Sequence, residues 1–254
     1  MSEDTFISHL VELRDRLLRS LVAIGVVMAV LAVWPGIGAV YDLLARPMMQ
    51  SLPEGTRMIA TGVVSPIFVP LKVTLLFAFL LALPYVLYQA WAFVAPGLYA
   101  HEKRIALPIV VSSTVLFLLG VAYCYFVVFG MIFRAIHSYA PAAITPAPDI
   151  EAYLNFVMTM FIAFGITFEI PLAQIVLVRA GGVTPEKLKD VRSYVVVGAF
   201  VIAAVVTPPD VLSQLLLAIP MCLLYELGLI ACRYAGKPAT EASGGLPAVP
   251  ADKE

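Results

Sequence analysis

The run Ile67-Phe-Val-Pro-Leu-Lys72-Val-Thr-Leu-Leu-Phe-Ala-Phe-Leu-Leu-Ala-Leu-Pro84-Tyr-Val-Leu-Tyr-Gln89-Ala-Trp91-Ala-Phe93-Val-Ala95 holds 29 residues and a single charge, Lys72. Its apolar residues do not alternate with polar ones, which argues against a membrane β-strand and for a helix. About 20 helical residues cross a hydrocarbon core of about 30 Å, so this run is long enough to span it. Five further stretches come near that length, at 17–34, 105–133, 153–178, 191–206 and 211–231. The fold expected is an all-α polytopic membrane protein of six transmembrane helices, with the fifth and sixth short. Residues 1–233 form one membrane domain in this reading, followed by a disordered cytoplasmic tail at 234–254 rich in Ala, Pro and Gly.

The composition agrees. Of 254 residues, 61% are apolar and 13% charged, with a mean hydropathy of +0.96. Soluble domains run at about 45–50% apolar and about 25% charged. A net charge of −1 offers no basic surface for nucleic acid. Cys124, Cys222 and Cys232 lie in or beside apolar runs without paired spacing, and His9, His101 and His137 stand apart from one another. That pattern suggests packing rather than a disulfide framework, a metal centre or a catalytic nucleophile. Gly36-Ile-Gly38 follows a proline and lacks the third glycine of a nucleotide loop. No catalytic residue, cofactor or metal is expected.

Arg14, Arg16 and Arg19 precede the first run like the start of a signal peptide, but no small-residue cleavage site follows, so the first span is read as uncleaved. Short loops and chain ends place twelve Lys and Arg on the side of the termini and three on the other, which puts both termini in the cytoplasm. Lys72, at the start of span two, is left to snorkel outward. The proline-bearing stretches 35–66 and 134–152 are expected to form a partly ordered external cap with short helices.

Polar residues inside lipid are the functional candidates. Glu169 falls near mid-membrane, and Pro171 removes a backbone bond toward Thr167, so a kink is expected beside it. Thr207 and Gln214 are neutral polar groups that seek hydrogen bonds within the bundle. Asp210 precedes Val211 as a helix cap, and Glu226 has a structural role near the cytoplasmic interface. Phe6, Leu10, Leu13 and Leu17 repeat at helical spacing, consistent with a helix along the membrane surface. Glu12 lies on that helix, four residues before Arg16, as exposed helical ion pairs do. Glu102 supplies a second cytoplasmic carboxylate near Trp91 and Phe93. Two carboxylates with an aromatic rim suit a guanidinium-bearing peptide.

These residues also carry a family resemblance. His9-Leu-Val-Glu12-Leu-Arg14-Asp-Arg16-Leu17, Met58-Ile-Ala-Thr61, Tyr88-Gln-Ala-Trp91-Ala-Phe93-Val-Ala-Pro96-Gly-Leu-Tyr99, His101-Glu102-Lys103-Arg104, Phe164-Gly-Ile-Thr-Phe168-Glu169-Ile-Pro171, Arg192-Ser-Tyr194 and Thr207-Pro208-Pro209-Asp210 resemble the TatC family, the polytopic subunit of the twin-arginine, Sec-independent protein translocase. The resemblance extends to about Arg233. It implies a receptor for twin-arginine signal peptides in the bacterial inner membrane, exporting folded proteins on the proton-motive force. It implies that Glu12, Arg14, Phe93 and Glu102 bind the signal peptide. It also implies that Glu169, Thr207 and Gln214 dock single-span TatA-like and TatB-like partners, with Pro47 and Asp210 at external positions and a homo-oligomer in the complex. The competing expectation is a proton-coupled small-solute transporter with Glu169 as proton carrier.

Overall fold

A computed structural model describes residues 3–51, 59–94, 103–132, 134, 149–207 and 210–234. Among them the architecture is helical. It comprises α1 (Glu3–Leu31), α2 (Ile37–Ser51), α3 (Ser65–Val94), α4 (Lys103–Tyr123, continued by a widened turn at Cys124–Val128), α5 (Ile150–Phe168), α6 (Ile170–Arg179), α7 (Pro185–Asp190), α8 (Arg192–Val206) and α9 (Val211–Tyr234). One isolated bridge joins Ile59 and Asp149.

Among the described residues, five helical stretches are long and apolar enough to cross a bilayer: Ile7–Ala45, Ser65–Val94, Leu107–Ile132, Ile150–Arg179 and Val211–Arg233. The remaining apolar helix, α8, has 15 residues, about 22 Å of rise, as the short fifth run led one to expect. The sixth run, however, is not short. Helix α9 runs for 24 residues to Tyr234, and Glu226 within it pairs with Arg192 at the start of α8 (Nε to Oε1, 2.5 Å). The expected surface helix at the N-terminus is also corrected. No glycine or proline interrupts the chain before Gly25, and α1 runs unbroken from Glu3 to Leu31 into the first span.

Breaks occur where backbone chemistry demands them. Trp34 is extended (φ −149°, ψ 124°), since the ring of Pro35 disfavours helical geometry in the residue before it. Gly36 then takes φ +97°, a conformation open to glycine without a Cβ clash. The turn redirects the chain into α2, a helix of the kind expected within this external segment. The kink expected at Glu169 is present: α5 stops at Phe168, and α6 restarts with Pro171 in its first turn. The expected disordered tail lies outside the described residues except for Tyr234, the last residue of α9.

Packing pairs α1 with α3, α4 with α5, and both α6 and α8 with α9. The largest core joins Val40 and Leu44 of α2, Val73 of α3, Phe129 beyond α4, Phe164 of α5 and Leu217 of α9. Smaller clusters follow toward the cytoplasmic end, around Trp91, Ile109, Leu172 and Val176, and around Val178, Leu188, Tyr225 and Leu229.

The external end is tied by polar contacts. Asp149 caps α5, accepting from the Ala152 N–H (3.0 Å), and also accepts from the Thr61 N–H (3.1 Å) and hydroxyl (2.9 Å). The Ile150 N–H donates to the Ile59 carbonyl at 2.9 Å. Lys72 is not left to snorkel alone. Its Nζ pairs with Glu151 Oε1 at 3.0 Å, while the Ser65 hydroxyl donates to Oε2 at 2.6 Å. With both partners about two-fifths exposed, the ion pair contributes at most about 1 kcal/mol.

The Ala152 N–H, followed by the Thr61 N–H, holds the Asp149 carboxyl below the usual carboxylate range. A depressed folded-state value stabilises above the unfolded pKa, and that contribution is lost as pH falls through the folded value. The Thr61 amide should therefore be protected from hydrogen exchange at neutral pH and lose protection on acidification, once intrinsic rates are corrected. Asp149→Ala should remove the protection already at pH 7; unchanged exchange in that variant would show that Asp149 does not tether the loop.

Candidate functional site: a cytoplasmic guanidinium acceptor and an intramembrane carboxylate

The cytoplasmic site is built where the start of α1 meets the end of α3. His9 stacks on Phe93, with ring centroids 4.3 Å apart and planes 19° apart. One turn along α1, Glu12 Oε1 accepts from Arg16 at both Nη2 (2.6 Å) and Nε (2.9 Å). This is the i,i+4 pair expected from the sequence. Arg16 also reaches across to α3, donating from Nη1 to Gln89 Oε1 at 3.3 Å. Both guanidinium bonds fall on one carboxylate oxygen, and Glu12 lines an open recess of about 370 Å³ together with Ser8, Val11, Asp15, Arg16 and Arg19.

Glu12 and Phe93 are thus brought to one end of the same helix pair. Arg14 points elsewhere: its Nε and Nη2 donate to Asp15 Oδ1 (3.0 and 2.8 Å), and its side chain is 67% exposed. Glu102 lies outside the described residues, and Pro47 falls within α2.

The second site is inside the bundle, at the junction of α5 and α6. Glu169 Oε2 accepts from the Ser113 hydroxyl of α4 at 2.6 Å, and Ser113 in turn accepts from the Trp91 indole N–H of α3 at 2.9 Å. A chain of two donors, one from α3 and one from α4, therefore ends on this carboxyl. Its other oxygen, Oε1, is buried with no hydrogen-bond partner among the described residues. Buried polar atoms in native proteins are nearly always paired, so this unpaired oxygen at a helix break singles Glu169 out as a candidate functional residue.

Thr207 and Gln214 do not join Glu169. The Thr207 hydroxyl donates within α8 to Ala203 O (2.8 Å), and Gln214 Nε2 donates to Phe200 O of α8 (3.3 Å), the internal bonding expected of such groups. Asp210 Oδ1 accepts from the Ser213 N–H at 2.7 Å, which confirms its capping role.

Sequence reasoning missed three features. Ser113 is an ordinary helical serine until folding sets it 56 residues away against Glu169. Glu151 stands at the start of a run whose partner Lys72 is 79 residues earlier. Gln174 is 4% exposed, with neither amide atom hydrogen-bonded among the described residues, and a Cβ on Gly228 of α9 would meet its Oε1. A glutamine in an apolar run at 170–179 was the one available signal.

Residues 8–220 match the family model of the Sec-independent protein translocase protein TatC. The chain belongs to the TatC family. Glu12, Phe93, Glu102, Glu169, Thr207, Asp210 and Gln214 all fall inside the matched segment. The TatC of Escherichia coli strain K12 is 47% identical over 238 residues, covering 92% of each chain. That of Halothiobacillus neapolitanus is 48% identical over 229 residues, which are 90% of this chain and 62% of that protein. Among solved structures, a crystal structure of the twin-arginine translocase receptor TatC aligns with a TM-score of 0.78 at 38% identity, covering 89% of this chain and 99% of the other. Membership makes the chain a multi-pass membrane component of a protein translocase, and favours that reading over a solute transporter.

Proposed function

We propose that the chain is the twin-arginine signal-peptide receptor of this translocase, binding its ligand on the cytoplasmic face and acting without catalysis of its own. The observation that carries the reading is the Glu12 carboxylate, which already holds a guanidinium through two N–H donors in the free chain. A substrate arginine makes the same planar, charge-assisted contact in place of Arg16. Glu102 supplies the acceptor for the second arginine, Phe93 with His9 forms the apolar rim, and Arg14 assists at the edge. Glu169, Thr207 and Gln214 dock the single-span TatA-like and TatB-like partners within the membrane. Pro47 and Asp210 shape the external face. The complex is a homo-oligomer of this subunit with its partners, draws on the proton-motive force and exports folded proteins across the bacterial inner membrane.

The test uses the full chain in lipid nanodiscs with a twin-arginine peptide and the same peptide carrying two lysines. Lysine keeps the charge but loses the planar fork. A charge-assisted hydrogen bond contributes about 1.5–3 kcal/mol, so the arginine peptide should bind roughly tenfold tighter or more. The double variant Glu12→Gln, Glu102→Gln should erase that preference without lowering abundance. Equal affinity of the double variant and the parent for the arginine peptide would remove the site assignment.

A further inference from the structure

Five charges crowd the eight residues from Glu12 to Arg19. Four of them cancel in two pairs, Glu12 with Arg16 and Asp15 with Arg14. Arg19 is left exposed, and no hydrogen bond or ion pair engages it among the described residues. This cation stands at a chemical boundary. On one side is the polar recess it shares with Glu12 and Asp15; on the other is an open groove of about 380 Å³ lined by Leu18, Arg19, Val22 and Ala23 of α1 and Tyr85 of α3. Apart from Arg19 and the Tyr85 hydroxyl, that groove is apolar, and the outer face of α1 below it continues with exposed Leu21, Val26 and Val30.

The sequence of chemistries, solvent, unpaired cation, then apolar channel inside the span, matches that of a lipid headgroup above its chains. Arginine near the membrane interface attracts anionic headgroups, and tyrosine adds a hydroxyl at the same level. We propose that the groove between α1 and α3 beneath Arg19 binds one anionic phospholipid of the cytoplasmic leaflet, with the phosphate on the Arg19 guanidinium and an acyl chain along Leu18, Val22, Ala23 and Tyr85. Charge complementarity decides for an anionic lipid: with the neighbouring charges paired off, the net charge beside the groove is that of Arg19. The groove adjoins the Glu12 recess through Arg19, which lines both, but the proposal does not depend on the signal-peptide reading.

The experiment titrates the purified full chain in detergent with phosphatidylglycerol or phosphatidylcholine of identical chains, with retained lipid counted by native mass spectrometry. One phosphatidylglycerol should be held more tightly than phosphatidylcholine. Arg19→Gln should weaken phosphatidylglycerol retention by about tenfold and leave phosphatidylcholine unchanged, as expected for loss of one charge-assisted contact. Arg19→Lys should retain an intermediate preference. Val22→Trp, which crowds the groove while keeping the cation, should also lower retention. Equal retention of the two lipids by the parent, unchanged phosphatidylglycerol binding in Arg19→Gln, or unchanged binding in Val22→Trp would each overturn the site.

Discussion

Gly120→Ala is expected to destabilise the bundle by about 2–3 kcal/mol, the upper part of the range for overpacking a well-packed core. At this crossing α4 and α5 approach so closely that a Cβ on Gly120 would sit 2.5 Å from the Phe164 carbonyl oxygen, 3.0 Å from its carbonyl carbon and 3.0 Å from the Phe168 ring. The first two atoms are backbone, and no rotamer change moves them aside. The helices must therefore separate, which loosens Phe164, itself fully buried in the main core. Small residues allow such approaches in membranes, where apolar burial gives no net drive between helices and packing contributes directly. The facing Gly165 makes the arrangement reciprocal, since a Cβ there would enter the Phe117 ring. Gly198 is the control. Nothing lies within 4 Å of a Cβ at that position, so Gly198→Ala should be neutral or gain slightly from helix propensity. Thermal unfolding in detergent, followed by circular dichroism, compares the variants. A Gly120→Ala midpoint equal to the parent's would show that the crossing is not held by close packing.

The spans were legible in the sequence because the physics that makes them is local: an apolar run of sufficient length needs no partner to declare itself. The break at Glu169 was legible for the same reason, through the missing N–H of Pro171, and so was the cap at Asp210. Boundaries were less so. The amphipathic start of α1 and the first span read as two elements by composition, yet without a breaker between them a helix simply continues. Helix α9 runs three residues past the apolar run, and the partner of its Glu226 is Arg192, 34 positions away in a different helix. Long-range pairing of this kind also hid Lys72 with Glu151 and Ser113 with Glu169. At the cytoplasmic site, the pairing of Glu12 with Arg16 was legible from its i,i+4 spacing, whereas the reach of Arg16 to Gln89 and the turn of Arg14 toward Asp15 follow from side-chain geometry that spacing alone does not determine.

Glu169→Ala is expected to reduce co-purification of TatA-like and TatB-like partners by about 3- to 30-fold, while signal-peptide binding stays near the parent value. Hydrogen bonds between membrane helices contribute about 0.6–2 kcal/mol, and each 1.4 kcal/mol is tenfold, which sets that range. The prediction rests on an asymmetry within one carboxyl group. Oε2 is engaged by Ser113, whereas Oε1 is buried and has no partner among the described residues, so on the docking reading it takes a donor when a partner's helix packs there. A purely structural carboxyl would act through its Ser113 bond, and the two roles separate on that point. Ser113→Ala removes the internal donor and leaves the carboxyl in place; docking predicts nearly normal partner capture, whereas a structural role predicts the same loss as Glu169→Ala. Glu169→Gln adds a second comparison, because its amide keeps a carbonyl acceptor of similar shape and should preserve part of the capture. Thermal stability in the same detergent controls for unfolding, since removing the acceptor strands the Ser113 hydroxyl at about 1–3 kcal/mol. Normal partner recovery by Glu169→Ala, or equal losses in Glu169→Ala and Ser113→Ala, would assign this carboxyl to holding α3, α4 and α5 together rather than to receiving a partner.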